Sequence, residues 1–269
     1  MGQALALFHR IREDQLVHVD GEPRMNEEGP MLFARRVANR LGRPLGINPF
    51  PRAFPNPTTS AIAARADVFD SIYQSNFWGS GESRSGVGSE RDFSAAYLAR
   101  LRLLLAKRSL RRLFDAPCGD LNWSAALTSD PAVDYAGGDI SASLIADLQR
   151  RFPRVDLRVF DICTDPFPDA DVWHCRDCLF HLPLADIRSA FENFARSSIP
   201  FALLTTHRAR WLHRNLDVPL GGFRFLDLER APIGLGEAEE YLPDYRKGSD
   251  FPRYVGLWPR DAIAKAFRR

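Results

Sequence analysis

Apolar residues in the last two-thirds of the chain alternate between helix-like and strand-like spacing. In residues 91–109 the apolar positions recur every three or four residues, which predicts a helix. Five short, mostly apolar runs further along predict strands: 110–116, 133–140, 155–162, 170–177 and 200–207. Helical spacing lies between several of these runs: 122–129, 141–152 and 184–198. Strands separated by helices in this way predict a parallel sheet with right-handed crossovers.

Two more strand-like runs, at 221–228 and 253–259, predict an antiparallel addition at one edge of the sheet. The expected fold class is therefore α/β, with a Rossmann-like, doubly wound sheet of seven strands that is mostly parallel and has an antiparallel edge. We expect residues 91–269 to form this domain.

The chain before residue 91 has a different pattern. Residues 1–60 contain one helical segment and then a proline-rich stretch, so they predict a helical and extended N-terminal extension or lid. Residues 61–90 predict a helix followed by a glycine- and serine-rich loop, WGSGESRSGVGS at 78–89. This composition is typical of a flexible linker. Trp78 and Arg84 are unusual in a linker, however, and an active-site loop is the alternative.

Composition and charge exclude several classes of protein. The 269 residues include 36 Lys and Arg against 34 Asp and Glu, a net charge of +2, whereas sequence-independent nucleic-acid binders carry a much larger basic excess. No run approaches the ~18–20 apolar residues that span a bilayer. The N-terminus has no basic segment before its short apolar run, so a secretory signal is not expected. These features predict a cytoplasmic protein with no nucleic-acid and no membrane partner.

All four cysteines lie in the middle of the chain, at Cys118, Cys163, Cys175 and Cys178. Without an export signal, this favours reduced thiols in the cytoplasm. Cys175 and Cys178 form a C-x-x-C pair, but a four-ligand zinc site needs a second pair at similar spacing, and the sequence has none. No metal site is expected.

Acidic residues follow the first four predicted strands. In chain order they are Asp115 with Asp120, Asp139, Asp161 and Asp177. Each acid taken alone is also explained as a helix cap or a turn residue. Their concentration at strand ends favours a ligand site, because ligands of parallel α/β sheets bind beyond the carboxyl ends of the strands.

The spacing between Gly119 and Asp139 indicates an adenosine ligand. An acid about 20 residues beyond a glycine turn can accept hydrogen bonds from both ribose hydroxyls. A nicotinamide dinucleotide is less suitable, because the first and last glycines of G-x-G-x-x-G are missing and Asp120 would repel the pyrophosphate. S-adenosylmethionine has no phosphate, and its amino and sulfonium groups are cationic. An acidic turn with Asp115 and Asp120 suits it.

The motifs LFDAPCGDLNW, YAGGDIS, FDI and DVWHCRDCLFHLP resemble those of class I S-adenosylmethionine-dependent methyltransferases, over about residues 91–260. The resemblance implies that Asp115 and Gly119 lie against the methionine part of the cofactor. It also implies that Asp139 binds the ribose and Asp161 the adenine. The loop at 78–89 is similar to one that precedes the fold core in a bacterial subgroup of these enzymes.

The sequence departs from the usual D-x-G-x-G-x-G of this family at two positions. Pro117 stands where the first glycine is expected, and Leu121 where the third is. Because proline has no N–H, the turn must close without that donor.

Further residues complete the expected cofactor site. Ile162 is expected to pack on the adenine ring. Arg176 is expected to pair with the methionine carboxylate or, alternatively, with Asp139. Arg84 and Trp78 are expected to supply a carboxylate fork and an aromatic wall, with plain surface positions as the alternative for both. The full set of expected cofactor-binding residues is Asp115, Pro117, Gly119, Asp120, Asp139, Ile140, Asp161, Ile162, Arg176, Trp78 and Arg84.

His181 and Asp177 are the catalytic candidates. His181 lies about one turn beyond the fourth strand, and an unperturbed imidazole pKa of ~6.5 suits a general base; a structural histidine that caps the next helix is the alternative. Asp177 is expected to orient His181, to hold the acceptor, or to bond to backbone amides. His207, at the end of the fifth strand, is the second candidate base, and His174 is expected to face the core.

The function predicted from these residues is S-adenosylmethionine-dependent methyl transfer to a small molecule. The acceptor group is expected to be a hydroxyl of a saccharide or another polar metabolite. The alternatives are N-methylation of a small natural product and a non-catalytic, adenosine-binding methyltransferase-like subunit. The predicted function is compatible with a homodimer.

Overall fold

A computed structural model gives the fold. It describes residues 61–208, 213–245 and 252–267, with residues 61–64 as backbone only. The extension or lid expected over residues 1–60 lies outside the described residues.

Seven strands form one sheet: β1 (Arg112–Asp115), β2 (Asp134–Asp139), β3 (Asp156–Val159), β4 (Val172–Cys175), β5 (Phe201–His207), β6 (Glu240–Pro243) and β7 (Arg253–Pro259). They lie in the order β3-β2-β1-β4-β5-β7-β6. Strands β1 to β5 pair in parallel, whereas β7 pairs antiparallel with both β5 and β6. The predicted mostly parallel sheet of seven strands with an antiparallel edge is confirmed.

The predicted strand over 221–228 is wrong, although the strand over 253–259 is present as β7. β7 pairs with β5 along the whole of β5, and β4 occupies the other edge of β5. With both edges taken, 221–228 reaches only the end of β5, where Leu226 O accepts a hydrogen bond from His207 N at 2.7 Å. The last place in the sheet goes to β6 instead, because β7 still has a free edge.

Helices cover the sheet on both faces: α1 (Ala61–Gln74), α2 (Arg91–Arg108), α3 (Ala125–Thr128), α4 (Ala142–Arg151), α5 (Leu184–Ala195) and α6 (Arg260–Phe267). Two 3₁₀ turns lie at Val87–Ser89 and Leu179–His181. Ser141 is the N-cap of α4, since its Oγ accepts a hydrogen bond from Leu144 N at 3.2 Å. None of the described helices is long and apolar enough to cross a membrane.

Two apolar clusters form the core, one on each face of the sheet. Neighbouring residues of a strand point to opposite faces, so Phe114 lies in the cluster of Trp173 and Phe194, whereas Leu113 lies in the cluster of Leu101. Residues that line the predicted apolar side of α2 are buried: Tyr97, Leu101, Leu104 and Leu105. Both clusters end below the carboxyl edge of the parallel strands, where the polar residues gather.

Three of the described arginines are buried, and they differ in their partners. Arg65 contacts the carboxylates of Asp161 and Asp186, and Arg176 that of Asp244. Arg224 is 2% exposed, and the hydrogen bond of its side chain in the described structure is a long one from Nη2 to Leu179 O, at 3.4 Å. Its Nε and Nη1 are buried without a hydrogen-bond partner in the described structure. Burial lowers the pKa of Arg224 to about 10, so the group stays charged at neutral pH.

Substitution of Arg224 by Met is expected to increase the stability of the ligand-free protein. Removing an unpaired buried charge and filling its space with an apolar side chain is favourable, by about 1 kcal/mol or more. Arg65→Met is the matched control and should lose stability, because it leaves a buried carboxylate unpaired. Urea unfolding followed by circular dichroism measures both. Equal losses in the two variants would contradict this account of Arg224.

Candidate active site

A cavity opens at the carboxyl edge of the parallel strands, where ligands of such sheets bind. Twelve of the thirteen residues expected at the site line it: Trp78, Asp115, Pro117, Gly119, Asp120, Asp139, Ile140, Asp161, Ile162, Arg176, Asp177 and His181.

The turn after β1 closes through backbone hydrogen bonds that do not need the N–H missing at Pro117. Cys118 N donates to Gly138 O at 2.9 Å, and Gly119 N donates to Asp139 Oδ2 at 3.1 Å. Gly119 has a φ of +56°, and a Cβ there would lie 2.5 Å from Ser85 Oγ. Leu121, at the position of the third glycine, also has a left-handed φ of +57°. The two departures from the glycine pattern are therefore compatible with a tight turn.

Asp139 is held by backbone amides alone. Its Oδ2 accepts from Gly119 N, and its Oδ1 accepts from Ser141 N at 3.0 Å. Burial is the main influence on this carboxyl and raises its pKa to about 6, although the two amides act in the opposite direction. Each oxygen keeps a further lone pair, so the group can still accept hydrogen bonds from a ligand.

Asp115 lies at the inner wall of the cavity with both oxygens already bonded. Its Oδ2 accepts from the Tyr135 hydroxyl, and its Oδ1 from His174 Nδ1, both at 2.7 Å. His174 Nε2 accepts in turn from the Tyr97 hydroxyl at 2.8 Å. His174 is fully buried, as expected for a core-facing residue. Asp115 thus joins the end of β1 to β2, β4 and α2.

Asp120 anchors the glycine- and serine-rich loop at 78–89. Its Oδ2 accepts from Ser83 Oγ and from Arg84 N, both at 2.9 Å, and its Oδ1 accepts from Ser85 Oγ at 3.3 Å. Asp120 N donates back to Ser85 Oγ at 3.1 Å. Three successive loop residues are thus fixed at the cavity wall, which favours an active-site loop over a linker.

The Arg84 side chain lies outside the cavity, contrary to the expectation of a carboxylate fork. Its Nη1 donates to Tyr73 O and Gln74 O, at 3.1 and 2.9 Å. These carbonyls end α1, where a helix lacks internal donors and attracts cations. Trp78 does face the cavity, with its ring centroid 5.1 Å from that of His181, and forms an aromatic wall.

Arg176 pairs with Asp244, not with Asp139. Its Nε and Nη2 contact the two Asp244 oxygens at 2.8 and 3.0 Å, and Nη2 also donates to Gly88 O at 2.7 Å. The guanidinium stacks over the rings of Tyr97 and Trp123. Arg176 therefore ties the end of β4 to the end of β6 and to the loop.

Asp177 is held by Arg253 and makes no hydrogen bond to His181 within the described residues, so the expected role of orienting that ring has no direct contact to support it. Arg253 Nη1 donates to Asp177 Oδ2 at 2.6 Å, and Asp177 N donates to Thr205 Oγ1 at 2.9 Å. The backbone of Asp177 is left-handed, with φ at +58°. A Cβ on Gly88 would lie 2.7 Å from Asp177 Oδ2, so this position requires glycine. The carboxylate lines the cavity in a fixed position.

His181 faces the cavity as a neutral imidazole. Its Nδ1 donates to Gly222 O at 2.6 Å, which leaves the Nε2 lone pair for a ligand. Burial lowers the pKa of His181 to about 4, well below the value of a free imidazole. His207 is not among the residues that line the cavity; Leu226 N donates to its Nδ1 at 3.2 Å, and burial lowers its pKa to about 3. The geometry therefore favours His181 as the candidate base.

Arg65 is a cavity residue that the sequence analysis did not identify. Its Nε and Nη2 donate to Asp161 Oδ2 at 3.1 and 2.9 Å, and its Nη1 donates to Asp186 Oδ1 at 3.2 Å. Val68 and Ile72, three and seven positions later, are buried in the core. An arginine on the apolar side of a predicted helix is the signal that could have indicated it.

The four cysteines are free and buried. Burial raises the pKa of the Cys175 and Cys118 thiols well above the usual value. Within the described ranges, no group of three or more potential metal ligands is found.

Comparisons with known proteins give both a domain family and a fold. Residues 113–200 match the family model described as a methyltransferase domain. None of the curated proteins matches the chain.

Two solved structures have a similar fold at low sequence identity. Magnesium protoporphyrin IX methyltransferase from Synechocystis, with bound S-adenosylmethionine, is 14% identical with a TM-score of 0.51, over 76% of this chain and 99% of that one. The 1,6-didemethyltoxoflavin-N1-methyltransferase of Burkholderia thailandensis, with its bound substrate and S-adenosylhomocysteine, is 14% identical with a TM-score of 0.51, over 78% and 94%.

Replacement of Asp120 by Ala is expected to release the loop at 78–89. The variant loses its charged acceptor for Ser83, Arg84 and Ser85, so amide exchange of Arg84 should accelerate by about tenfold or more. Hydrogen–deuterium exchange measures this change. Asp134→Ala, at the exposed start of β2, is the control and should leave the loop unchanged. Unchanged exchange in the Asp120 variant would show that other contacts hold the loop.

Proposed function

We propose that this chain is a class I S-adenosylmethionine-dependent methyltransferase that methylates a hydroxyl group of a small polar molecule. The observation that carries the proposal is that the expected cofactor residues and His181 line one cavity. S-adenosylmethionine is the methyl donor, and when bound it supplies an activated methyl group on a sulfonium.

The cofactor residues are assigned by their order along the sheet. The turn at Gly119 holds the methionine part, Asp139 accepts from the ribose hydroxyls, and Asp161 accepts from the adenine amino group. Ile140 and Ile162 pack on the adenine ring. This order follows the neighbouring strands β1, β2 and β3, whose carboxyl ends form the cavity wall.

Charge supports a cationic ligand at the methionine end. Asp120 and Asp139 have no cationic side-chain partner in the described part of the chain; hydroxyls and backbone amides hold them. Two carboxylates held in this way favour positive charge nearby and disfavour phosphate. The sulfonium and the amino group satisfy this requirement.

His181 takes the proton of the acceptor hydroxyl. As the methyl carbon bonds to the hydroxyl oxygen, its bond to sulfur breaks and the sulfur becomes a neutral thioether. The oxygen becomes strongly acidic at that moment, so a weakly basic Nε2 is sufficient to accept the proton and later pass it to water. Trp78 packs against the imidazole with the two rings tilted by 31°, and it excludes water from that side. Asp177, fixed by Arg253, accepts a hydrogen bond from the acceptor and orients it.

Transfer to nitrogen is the second candidate. A neutral amine is a stronger nucleophile than a neutral hydroxyl and attacks without help from a base, and His181, with a pKa of about 4, is only a weak base. The toxoflavin enzyme with a similar fold is named as an N1-methyltransferase. An acceptor screen with labelled S-adenosylmethionine, in which each hydroxyl compound is paired with its amino analogue, decides between the two.

S-adenosylmethionine binding is expected to depend on the ionisation of Asp139. Ribose hydroxyls bond best to the ionised carboxylate, whose pKa is about 6 in the free protein, so affinity should be constant above about pH 7 and fall as the pH falls through 6. Asp139→Ala should bind about tenfold to a hundredfold more weakly, without this pH dependence. Calorimetry measures both. Asp134→Ala, on the same strand, should bind like the parent protein.

His181→Ala is expected to lower turnover by about a hundredfold or more while S-adenosylmethionine binding is retained. Because the neutral form is active and its pKa is about 4, turnover of the parent enzyme at saturating cofactor should show no break near pH 6.5 and fall only as the pH approaches 4. The control is His207→Gln, which changes a histidine outside the cavity.

Turnover of His181→Ala equal to that of the parent enzyme would rule out His181 as the general base. Tight cofactor binding with no transfer to any acceptor would instead favour the non-catalytic alternative.

A further inference from the structure

The pair formed by Arg65 and Asp161 lies where the adenine is assigned. Both side chains line the cavity and both are more than nine-tenths buried. Arg65 holds a single oxygen of Asp161, Oδ2, with two donors at 3.1 and 2.9 Å. Its third nitrogen donates to Asp186, at the start of α5, so the guanidinium is fixed from both sides.

The other oxygen of Asp161 is left as a hydrogen-bond acceptor. Oδ1 takes one bond, from Cys163 N at 2.9 Å, and a carboxylate oxygen has a second lone pair. Both carboxylate oxygens act as hydrogen-bond acceptors in the described structure, Oδ2 from Arg65 and Oδ1 from Cys163 N.

We infer that Arg65 is a positioning residue that keeps Asp161 a pure acceptor and thereby makes the site select adenine over 6-oxopurines. The inference rests on the assignment of adenine to Asp161 in the proposed function. Adenine presents an amino group at its 6-position, which donates to Oδ1. Hypoxanthine presents a carbonyl oxygen there, and two acceptors facing each other in a buried site repel.

Loss of Arg65 is expected to change Asp161 from a hydrogen-bond acceptor into a group that can also donate. A buried carboxyl without its cation favours the protonated form, which can donate to the carbonyl of hypoxanthine. Discrimination between the two bases then falls, and it falls further at low pH. A purely structural role of Arg65 would weaken both ligands equally and leave their ratio unchanged.

The test compares the affinities of S-adenosylhomocysteine and S-inosylhomocysteine by calorimetry. We expect the parent protein to prefer the adenosyl ligand by at least about tenfold. In Arg65→Met the preference should shrink to about threefold or less, and the ratio of the two affinities should shrink further as the pH falls, since the effect of Asp139 on the shared ribose cancels in that ratio. Asp186→Asn is the matched control: it removes the other carboxylate of Arg65, leaves Asp161 paired, and should keep the parent preference.

A double variant guards against loss of folding in Arg65→Met. Arg65→Met with Asp161→Asn removes both charges and leaves an amide that can donate or accept, so it should fold and show a similarly small preference without pH dependence. Parent-like discrimination in the Arg65 variants, or an equal loss in Asp186→Asn, would overturn the inference. A parent protein that binds both ligands equally would instead contradict the assignment of adenine to Asp161.

Discussion

Carboxylates buried at the edge of a parallel sheet need donors or cations, and this requirement organises the site. Each acid takes its partners from a different segment of the chain. Asp115 takes hydroxyl and imidazole groups from the core, and Asp120 takes loop donors. Asp161 recruits α1 through Arg65, and Asp177 recruits β7 through Arg253. The acids at the strand ends therefore also hold the walls of the cavity together.

The strength of these partners differs along the sheet. At the β3 and β4 ends the acids form ion pairs with guanidinium groups, at 2.9 Å for Asp161 and 2.6 Å for Asp177. At the β2 end Asp139 has only two backbone amides against its desolvation, and its pKa lies near 6. A ligand hydroxyl would supply a further hydrogen-bond donor to Asp139, and each further donor favours the charged form of the carboxyl group. The part of the site that is least satisfied in the free protein is thus the part assigned to the ribose.

Residues at strand ends could be predicted from sequence because their position depends on local pattern alone. A run of apolar residues fixes where a strand stops, so the sequence pattern predicts Asp115, Asp139, Asp161 and Asp177 at strand ends, and all four line the cavity. The low pKa of His181 could not be predicted, since it arises from burial under segments distant in sequence.

The partners of the strand-end acids could not be predicted in the same way. Arg65 is 96 residues from Asp161, and Arg253 is 76 residues from Asp177. Those pairings depend on how a helix and an edge strand dock, which no local pattern specifies. The wrong predictions for Arg84 and for the strand at 221–228 have the same origin. Arg84 donates to a carbonyl at the end of α1, and residues 221–228 cannot join the sheet because both edges of β5 are already paired.

The charge of the cavity changes from one end to the other. Around β4 and β7, the guanidiniums of Arg176 and Arg253 are matched by the carboxylates of Asp177 and Asp244, so this group of four has no net charge. Toward β1 and β2, the described residues place no guanidinium against Asp120 or Asp139, and that end is acidic. A cofactor with a cationic methionine part is drawn to the acidic end by this difference. In the proposed function the acceptor lies between this group of four and the Trp78 and His181 rings. The group of four brings no net charge to that side, so it would position an acceptor by hydrogen bonds and shape.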